Sequence, residues 1–342
     1  MRIAVDAMGG DYAPLEIVKG AFTAVGLVPE LEILLVGRSE QIKSVGGDGL
    51  KSPRIHIIHA DEVIDNGEDP GLAIRSKKKA SMVSAMQLVC QGRADAVVSC
   101  GNTGALMAGG VLFLGRITGI KRPALLTVMP PLRGKRTVIL DVGANMDARP
   151  EQMLQYALMG SIYAREILNQ EIPRVALLNV GIEENKGNQQ VKYVYGLFKQ
   201  KVPGFVGNLE AKDIFDGRAD VIVCDGFAGN VMLKAMEGIS RELLLFLSAK
   251  IKEDAKARTA LSLLSPLLQR VRADLDEAEY GGAMLIGVNG VCIKCHGASK
   301  EQTVAQTLIR QAYPLVQREI SKKIDMALAG GWFKEDGVDE KR

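Results

Sequence analysis

Short apolar runs, each closing on a polar or glycine-rich turn, recur along the chain: RIAVD (2–6), LEILLVG (31–37), RIHIIHA (54–60), DAVVSCGNTG (95–104), PALLTVMP (123–130), RTVILDVG (136–143), RVALLNVG (174–181), GFVGNLE (204–210) and ADVIVCDG (219–226). Their length and bounding turns predict strands. Helical patterns alternate with them. One begins near Pro14, suited to a first turn, and one over Ser81–Gly92 spaces Met82, Ala85, Met86 and Val89 at helical intervals. Others run over Pro150–Asn169, from Gly229 to about Glu279 with a break at Pro266, and as one polar helix over 299–328. GAMLIGVNGVCIKCHG (282–297) reads as a hairpin turned at Asn289-Gly290. The pattern predicts an α/β fold with a mostly parallel sheet and an antiparallel appendage. No repeat or low-complexity linker marks a domain boundary, so residues 1–342 read as a single unit with a helical hairpin insertion at about 240–279.

The stretch Asp95–Met107 organises this reading. Its strand stops at Ser99 and gives way to Gly-Asn-Thr-Gly and an apolar helix start. Gly101 and Gly104 permit tight backbone angles, and Asn102 or Thr103 can cap the helix. Such a turn aims backbone N–H groups and a helix dipole at one point, which suits a phosphate. Related turns follow in VILDVGAN (138–145), ALLNVGIEENKGN (176–188) and VIVCDGFAGN (221–230). In open α/β sheets the carboxyl ends of parallel strands are where ligands bind, so the expectation is one site at a shared edge.

Composition narrows the classes. With 47% hydrophobic and 24% charged residues the chain suits a folded enzyme, and a net charge of +3 gives no argument for nucleic acid. The odd set of five cysteines (Cys90, Cys100, Cys224, Cys292, Cys295) forms no disulfide framework. The opening MRIAVDAMGG is a strand and turn rather than an export signal, and the longest apolar run, Gly104–Gly115, is too short to span a bilayer. A cytoplasmic location is expected. No G-x-x-x-x-G-K-[ST], G-x-G-x-x-G or G-x-S-x-G is present. His56 and His59 point to opposite faces of their strand, so a metal site there is not expected. CIKCH (292–296) matches a haem-attachment pattern, but covalent haem requires export. Cys100 is a nucleophile only if its thiol pKa is low.

What remains is polar residues on turns: Asp6, Asp11, Asn102, Thr103, Asp141, Asn145, Asn179, Glu183, Lys186, Asn208, Glu210, Asp225, Asn230 and His296. Lys186 stands among glycine turns, where it can neutralise an anion, and His296 is placed as an exposed acid/base or a satisfied strand-end histidine. RSKKK (75–79) is the densest basic cluster. Near Pro266, Leu263, Leu264, Leu267 and Leu268 form an apolar tip flanked by Lys256, Arg258, Arg270 and Arg272. That tip suits a shallow membrane anchor or an oligomer contact.

The motifs DAMGGD (6–11), SCGNTGAL (99–106), LDVGAN (140–145), NVGIEENKGN (179–188), GNLEAKD (207–213), VCDGFAGN (223–230), YGGAMLIG (280–287) and IKCHGAS (293–299) resemble those of the bacterial phosphate acyltransferases that start phospholipid synthesis. The resemblance runs in order from residue 1 to about residue 320. It departs from the family pattern at Cys100 and Cys295, where alanine is expected, which argues against a cysteine nucleophile. The resemblance implies an α/β/α sandwich like that of isopropylmalate dehydrogenases and phosphotransacetylases, a homodimer, no cofactor and no metal. It implies transfer of a long-chain acyl group from acyl carrier protein to inorganic phosphate, giving acyl-phosphate at a peripheral membrane location. Acyl carrier protein, the membrane surface and the downstream glycerol-3-phosphate acyltransferase are the implied partners.

On that reading phosphate attacks the thioester directly. Gly101, Asn102, Thr103, Gly104, Gly229 and Asn230 would hold phosphate. Lys186, Asp225 and His296 would be catalytic, with Lys186 neutralising the dianion, Asp225 orienting Lys186 or accepting a phosphate proton, and His296 acting as general acid/base. Arg75, Lys77, Lys78 and Lys79 would dock the acidic carrier. The alternatives are a coenzyme A-dependent acyltransferase resembling phosphotransacetylase, and a noncatalytic membrane scaffold, which has no need of so many polar turn residues. A metal-dependent dehydrogenase of similar fold is disfavoured by the lack of paired aspartates at ligand spacing.

Overall fold

A computed structural model of the chain describes residues 1–130, 132, 136–253, 264–267 and 282–332. Most of the expected hairpin insertion, including Leu263 and Leu268 of the leucine tip, lies outside the described residues; Leu264 and Leu267 are described and exposed.

The strands are β1 (Arg2–Asp6), β2 (Glu32–Gly37), β3 (Ile55–His59), β4 (Ala96–Ser99), β5 (Ala124–Met129), β6 (Thr137–Leu140), β7 (Val175–Asn179), β8 (Phe205–Glu210), β9 (Val221–Val223), β10 (Gly282–Ile286) and β11 (Val291–Cys295). The larger helices are α1 (Leu15–Leu27), α2 (Ser39–Gly46), α3 (Pro70–Ser76), α4 (Ser81–Cys90), α5 (Thr103–Gly109), α6 (Pro150–Leu168), α7 (Gln189–Lys201) and α8 (Gly226–Glu253). All the strands join one sheet in the order β3-β2-β1-β4-β11-β10-β5-β6-β9-β7-β8.

Apolar positions alternate between two cores, one on each sheet face. Ile3, Val5, Ala96, Val98, Val138, Leu140, Val291 and Ile293 pack with α1, α6 and α7 on one side. Ala4, Val97, Leu125, Ile139, Ile222 and Cys292 pack with α3, α4, α5 and α8 on the other. The result is a three-layer α/β/α sandwich. Cover on both faces is why the strands read as continuous apolar runs.

The strand directions correct one expectation. β3, β2, β1, β4 and β11 run parallel. β10 is antiparallel to both β11 and β5, and β5 is antiparallel to β6. β6, β9, β7 and β8 then run parallel to one another, opposite to the first block. The glycine-rich turns therefore do not share an edge. The turns after β1, β4 and β11 form a first edge, and those after β6, β9, β7 and β8 form a second at the other end of the strands. The inserted β10–β11 hairpin leaves β5 running with the first block, and the antiparallel pairing of β5 with β6 then reverses the second.

The other correction concerns the polar helix expected over 299–328. It is divided into Glu301–Gln306, Tyr313–Gln317 and Ile320–Ala329, with a wide π-helical turn at Thr307–Ala312. Glu319, at φ +50°, sits in the left-handed region and separates the last two pieces.

Candidate active site

At the first edge three turns pack backbone on backbone. A Cβ on Gly9 would lie 2.7 Å from the Gly101 nitrogen, and one on Gly10 would lie 2.9 Å from the Gly297 oxygen. Gly10 also has φ +101°, so the adjacent glycines of DAMGGD serve close approach and a left-handed turn. Asp11 N–H donates to the Gly297 carbonyl at 2.8 Å. Beneath them the Ser99 hydroxyl donates to Asp6 Oδ2 at 2.6 Å and accepts from Gly101 N–H at 3.0 Å. Burial holds the Asp6 carboxyl above its ordinary pKa, against the hydrogen bonds from Ser81, Ser99 and the following backbone.

The turn predicted to hold phosphate is itself tightly held. Asn102 Oδ1 caps α5 by accepting from Ala105 N–H at 2.9 Å. Its Nδ2 donates to the carbonyls of Asp65, Asn66 and Glu68 at 3.2–3.4 Å. A Cβ on Gly104 would meet Pro70 at 2.6 Å, so Gly104 lets α5 pack on α3. Thr103, by contrast, faces an open groove.

That groove is the central feature of the site. It crosses the sheet face between α5 and α8 and has a volume of about 430 Å³, within the range of small-molecule pockets. Leu125, Met129 and Ala283 contribute to its apolar floor and Leu233 and Met236 of α8 to a wall. Val142 lines it toward the second edge; Thr103, Lys294 and His296 line it at the first. His296 is exposed and its Nδ1 accepts from Ala298 N–H at 3.2 Å.

Lys294 is the functional candidate that sequence reasoning missed. Its strand partner in register is Ser99, and its Nζ donates to the carbonyl of Cys100 at 3.3 Å and to that of Cys295. Among the described residues it makes no ion pair. Burial lowers its pKa from the ordinary lysine value. A lysine at the fourth position of the otherwise apolar VCIKC was the available signal. The CIKCH spacing drew attention to the cysteines instead.

The environment raises the thiols of Cys100, Cys224 and Cys292 and makes them inert, whereas the hydrogen bond from Cys100 lowers that of Cys295 to about 7. Cys100, Cys224, Cys292 and Cys295 are buried, and Cys90 is exposed. A hydrogen bond to Cys295 together with burial raises the Cys100 thiol well above its ordinary value, and burial alone pushes Cys292 up to about 12.

The second edge is built around Asp141, which is fully buried. Its Oδ1 accepts from the N–H groups of Leu125, Gly143 and Ala144, and its Oδ2 from the backbone N–H and Nδ2 of Asn145, all at 2.7–3.0 Å. A Cβ on Gly229 would lie 2.0 Å from the Asp141 oxygen, so Gly229 lets α8 pack against this turn. Asp225 Oδ1 caps α8 by accepting from Ala228 N–H at 2.7 Å. Asn230 lies over Gly143. Lys186 is exposed on a turn tied by Asn179 and Asn208, which donate to the carbonyls of Lys186 and Glu183. Lys186, Asp225, Gly229 and Asn230 thus share the second edge, whereas Gly101, Asn102, Thr103, Gly104 and His296 belong to the first. The strand directions keep these two sets apart within the chain.

The basic cluster lies beside the first edge, between α3, which meets Gly104, and Ser81, which bonds Asp6. Arg75, Lys78 and Lys79 are exposed. Lys77 is half-buried and pairs with Glu68 at 2.6 Å while donating to the Val63 carbonyl at 2.8 Å. Lys77 is therefore a local tie rather than part of an open docking face.

A three-layer sandwich with an apolar groove between polar strand-end turns places the chain in the phosphotransacetylase-like class of α/β folds. Solved structures with this fold include a phosphotransacetylase from Streptococcus pyogenes, with TM-score 0.58 and 18% identity, matched over 93% of this chain and 94% of that one. A branched-chain phosphotransacylase from Enterococcus faecalis matches with TM-score 0.56 and 14% identity, over 92% and 99% of the two chains. The family described as "Fatty acid synthesis protein" matches residues 1–323. Relatives named phosphate acyltransferase include one from Heliobacterium modesticaldum, 49% identical over 96% of this chain and 98% of its own. Another from Bacillus cereus is 45% identical over the same shares. The chain belongs to the phosphate acyltransferase family and is an acyltransferase of fatty-acid and lipid synthesis.

Proposed function

We propose that the enzyme transfers a long-chain acyl group from the thioester of acyl carrier protein to inorganic phosphate, releasing acyl-phosphate and the free carrier thiol. The observation that carries this reading is the apolar groove on the sheet face, which opens on Thr103, Lys294 and His296 at the first edge. A fatty chain fits such a floor, and its reactive end then lies among polar groups. Phosphate is itself a nucleophile, so a phosphate oxygen attacks the thioester carbonyl, the tetrahedral intermediate collapses, and the C–S bond breaks. An ordinary thiol, with a pKa of about 8.5, leaves with little acid assistance. The protein's contribution is orientation and stabilisation of the oxyanion. His296 is the general acid/base at this edge, and the protonated, buried Cys100 supports a mechanism without an acyl-enzyme. Lys186, exposed on the second edge, draws phosphate in.

Arg75, Lys78 and Lys79, beside the first edge, form the face for the acidic carrier. The membrane and dimer readings rest on the exposed apolar run Leu243–Leu247 of α8 with Leu264 and Leu267. Among the described residues no helix is long and apolar enough to cross a membrane. Replacing Leu264 and Leu267 together by Asp abolishes co-sedimentation with anionic liposomes if this surface is an anchor; a fall to monomers with liposome binding retained identifies it as the dimer contact.

The reaction is tested by incubating the purified enzyme with palmitoyl-carrier protein and phosphate, in parallel with palmitoyl-coenzyme A. Acyl-phosphate and free carrier are expected. Turnover of the coenzyme A thioester alone would reassign the donor.

A further inference from the structure

The groove is apolar along its floor, yet one ammonium group is built into its first end. Lys294 Nζ carries three N–H donors. Two meet the carbonyl oxygens of Cys100 and Cys295, leaving one donor and the whole positive charge without a carboxylate within ion-pair distance among the described residues. Asp11 and Asp6 act on it only from beyond ion-pair distance, and Asp6 already accepts from Ser99 and Met8. Glu237, across the groove on α8, makes no ion pair with it. An unpaired ammonium group beside an apolar floor is costly unless a ligand completes its shell.

We propose that Lys294 receives the oxygen-bearing end of a long aliphatic chain lying in the groove, so that the protein binds free long-chain carboxylates there. This rests on the long-chain acyl reading of the groove and adds the residue that fixes the chain's head. With the chain along Leu125, Met129 and Ala283, its oxygen lies at the strand end where Thr103 and His296 also stand. In the transfer reaction the same N–H would meet the thioester carbonyl oxygen as negative charge develops on it. Lys294 would thereby be a catalytic residue as well as a binding one.

The test is calorimetric titration of the full chain with octanoate and dodecanoate below micellar concentration, and separately with inorganic phosphate. Dodecanoate should bind at least about tenfold more tightly than octanoate, because each buried methylene adds to affinity. Lys294→Met, which removes the ammonium group while keeping an unbranched side chain one atom shorter, should weaken both carboxylates by about tenfold to a hundredfold, the range for one charge-assisted hydrogen bond. Lys294→Arg should retain most of the affinity. Leu125→Phe, which narrows the floor opposite Leu285 rather than beside Lys294, should reduce the gain from octanoate to dodecanoate. That variant keeps the test open if Lys294→Met fails to fold. Carboxylate affinity unchanged in Lys294→Met, or no carboxylate binding by the wild type, overturns the proposal. So does Lys294-dependent binding of phosphate alone, which would make the head a phosphate site. Acyl-phosphate production is assayed apart from these titrations. Its absence with carboxylate binding intact would sink the reaction reading and leave the groove assignment standing.

Discussion

The two strand edges solve different problems with similar residues. At the first, three glycine-bearing turns approach backbone to backbone, and the Asp6–Ser99 pair fastens one of them from below. The side chains left over, Thr103, Lys294 and His296, face the groove. At the second, Asp141 gathers a whole turn by accepting backbone and side-chain N–H donors, and Gly229 exists so that α8 can reach that turn. A buried aspartate followed by glycine and asparagine is therefore not by itself a ligand site. The difference lies in whether the polar groups are consumed by the turn or left over beside a cavity.

The largest expected effect sharpens that contrast. Asp141→Ala strands several buried N–H donors at once and should cost about 3–5 kcal/mol of stability, as breaking a buried charged network does. Asp6→Ala removes fewer partners and should cost about 1–3 kcal/mol. Urea unfolding of both variants measures the gap, and equal losses would erase the distinction between the edges. The pH dependence of Asp6 has a defined sign. Burial raises its folded pKa above the ordinary 3.8, so the folded state holds the proton more tightly than the unfolded chain. Its contribution to stability is complete below the unfolded value and declines as pH rises through the folded one. Asp6→Asn, which mimics the protonated form, should flatten that decline.

The next effect concerns chemistry and separates the edges kinetically. His296→Ala should lower kcat by about a hundredfold, as loss of a general acid/base does. Lys186→Ala should leave kcat nearly unchanged and raise the KM for phosphate by about tenfold, because an exposed cation at the second edge attracts the anion without touching the breaking bond. Equal losses of kcat would mean that both edges meet at the reacting atoms, and the two-edge description would have to be abandoned.

Much of this arrangement was legible beforehand. The strands, the hairpin at Asn289-Gly290 and the capping role of Asn102 follow from local rules, because apolar period and turn chemistry are properties of neighbouring residues. The reversal of the second strand block was not legible. It depends on which way β5 runs when it turns antiparallel into β6, and that is set by its pairing with β10 across more than a hundred and fifty residues of sequence. Its consequence, the separation of Lys186 and Asp225 from His296, escaped for the same reason. Lys294 was overlooked because its significance is that no carboxylate among the described residues reaches ion-pair distance, and only the folded chain defines its neighbours. Asp225 looked catalytic because the turn before α8 displays it, yet its carboxylate caps that helix.

The smallest expected effect tests which edge meets the carrier. Arg75 and Lys78 are exposed beside the first edge, and Lys192 is exposed near the start of α7, which follows the second. An acidic partner attracted to the first edge should associate more slowly with Arg75→Glu plus Lys78→Glu, by about tenfold at low ionic strength, and the difference should shrink as salt is added. The same measurement on Lys192→Glu should give the wild-type rate. Lys77→Glu belongs to another class: it places a carboxylate against Glu68 in a half-buried pair, so it should lower the melting temperature as well as the rate. Stopped-flow association of acyl-carrier protein across a salt series reads all three. A Lys192→Glu defect equal to that of the double variant would move the docking face to the second edge. The groove would then have to be entered from the Val142 end.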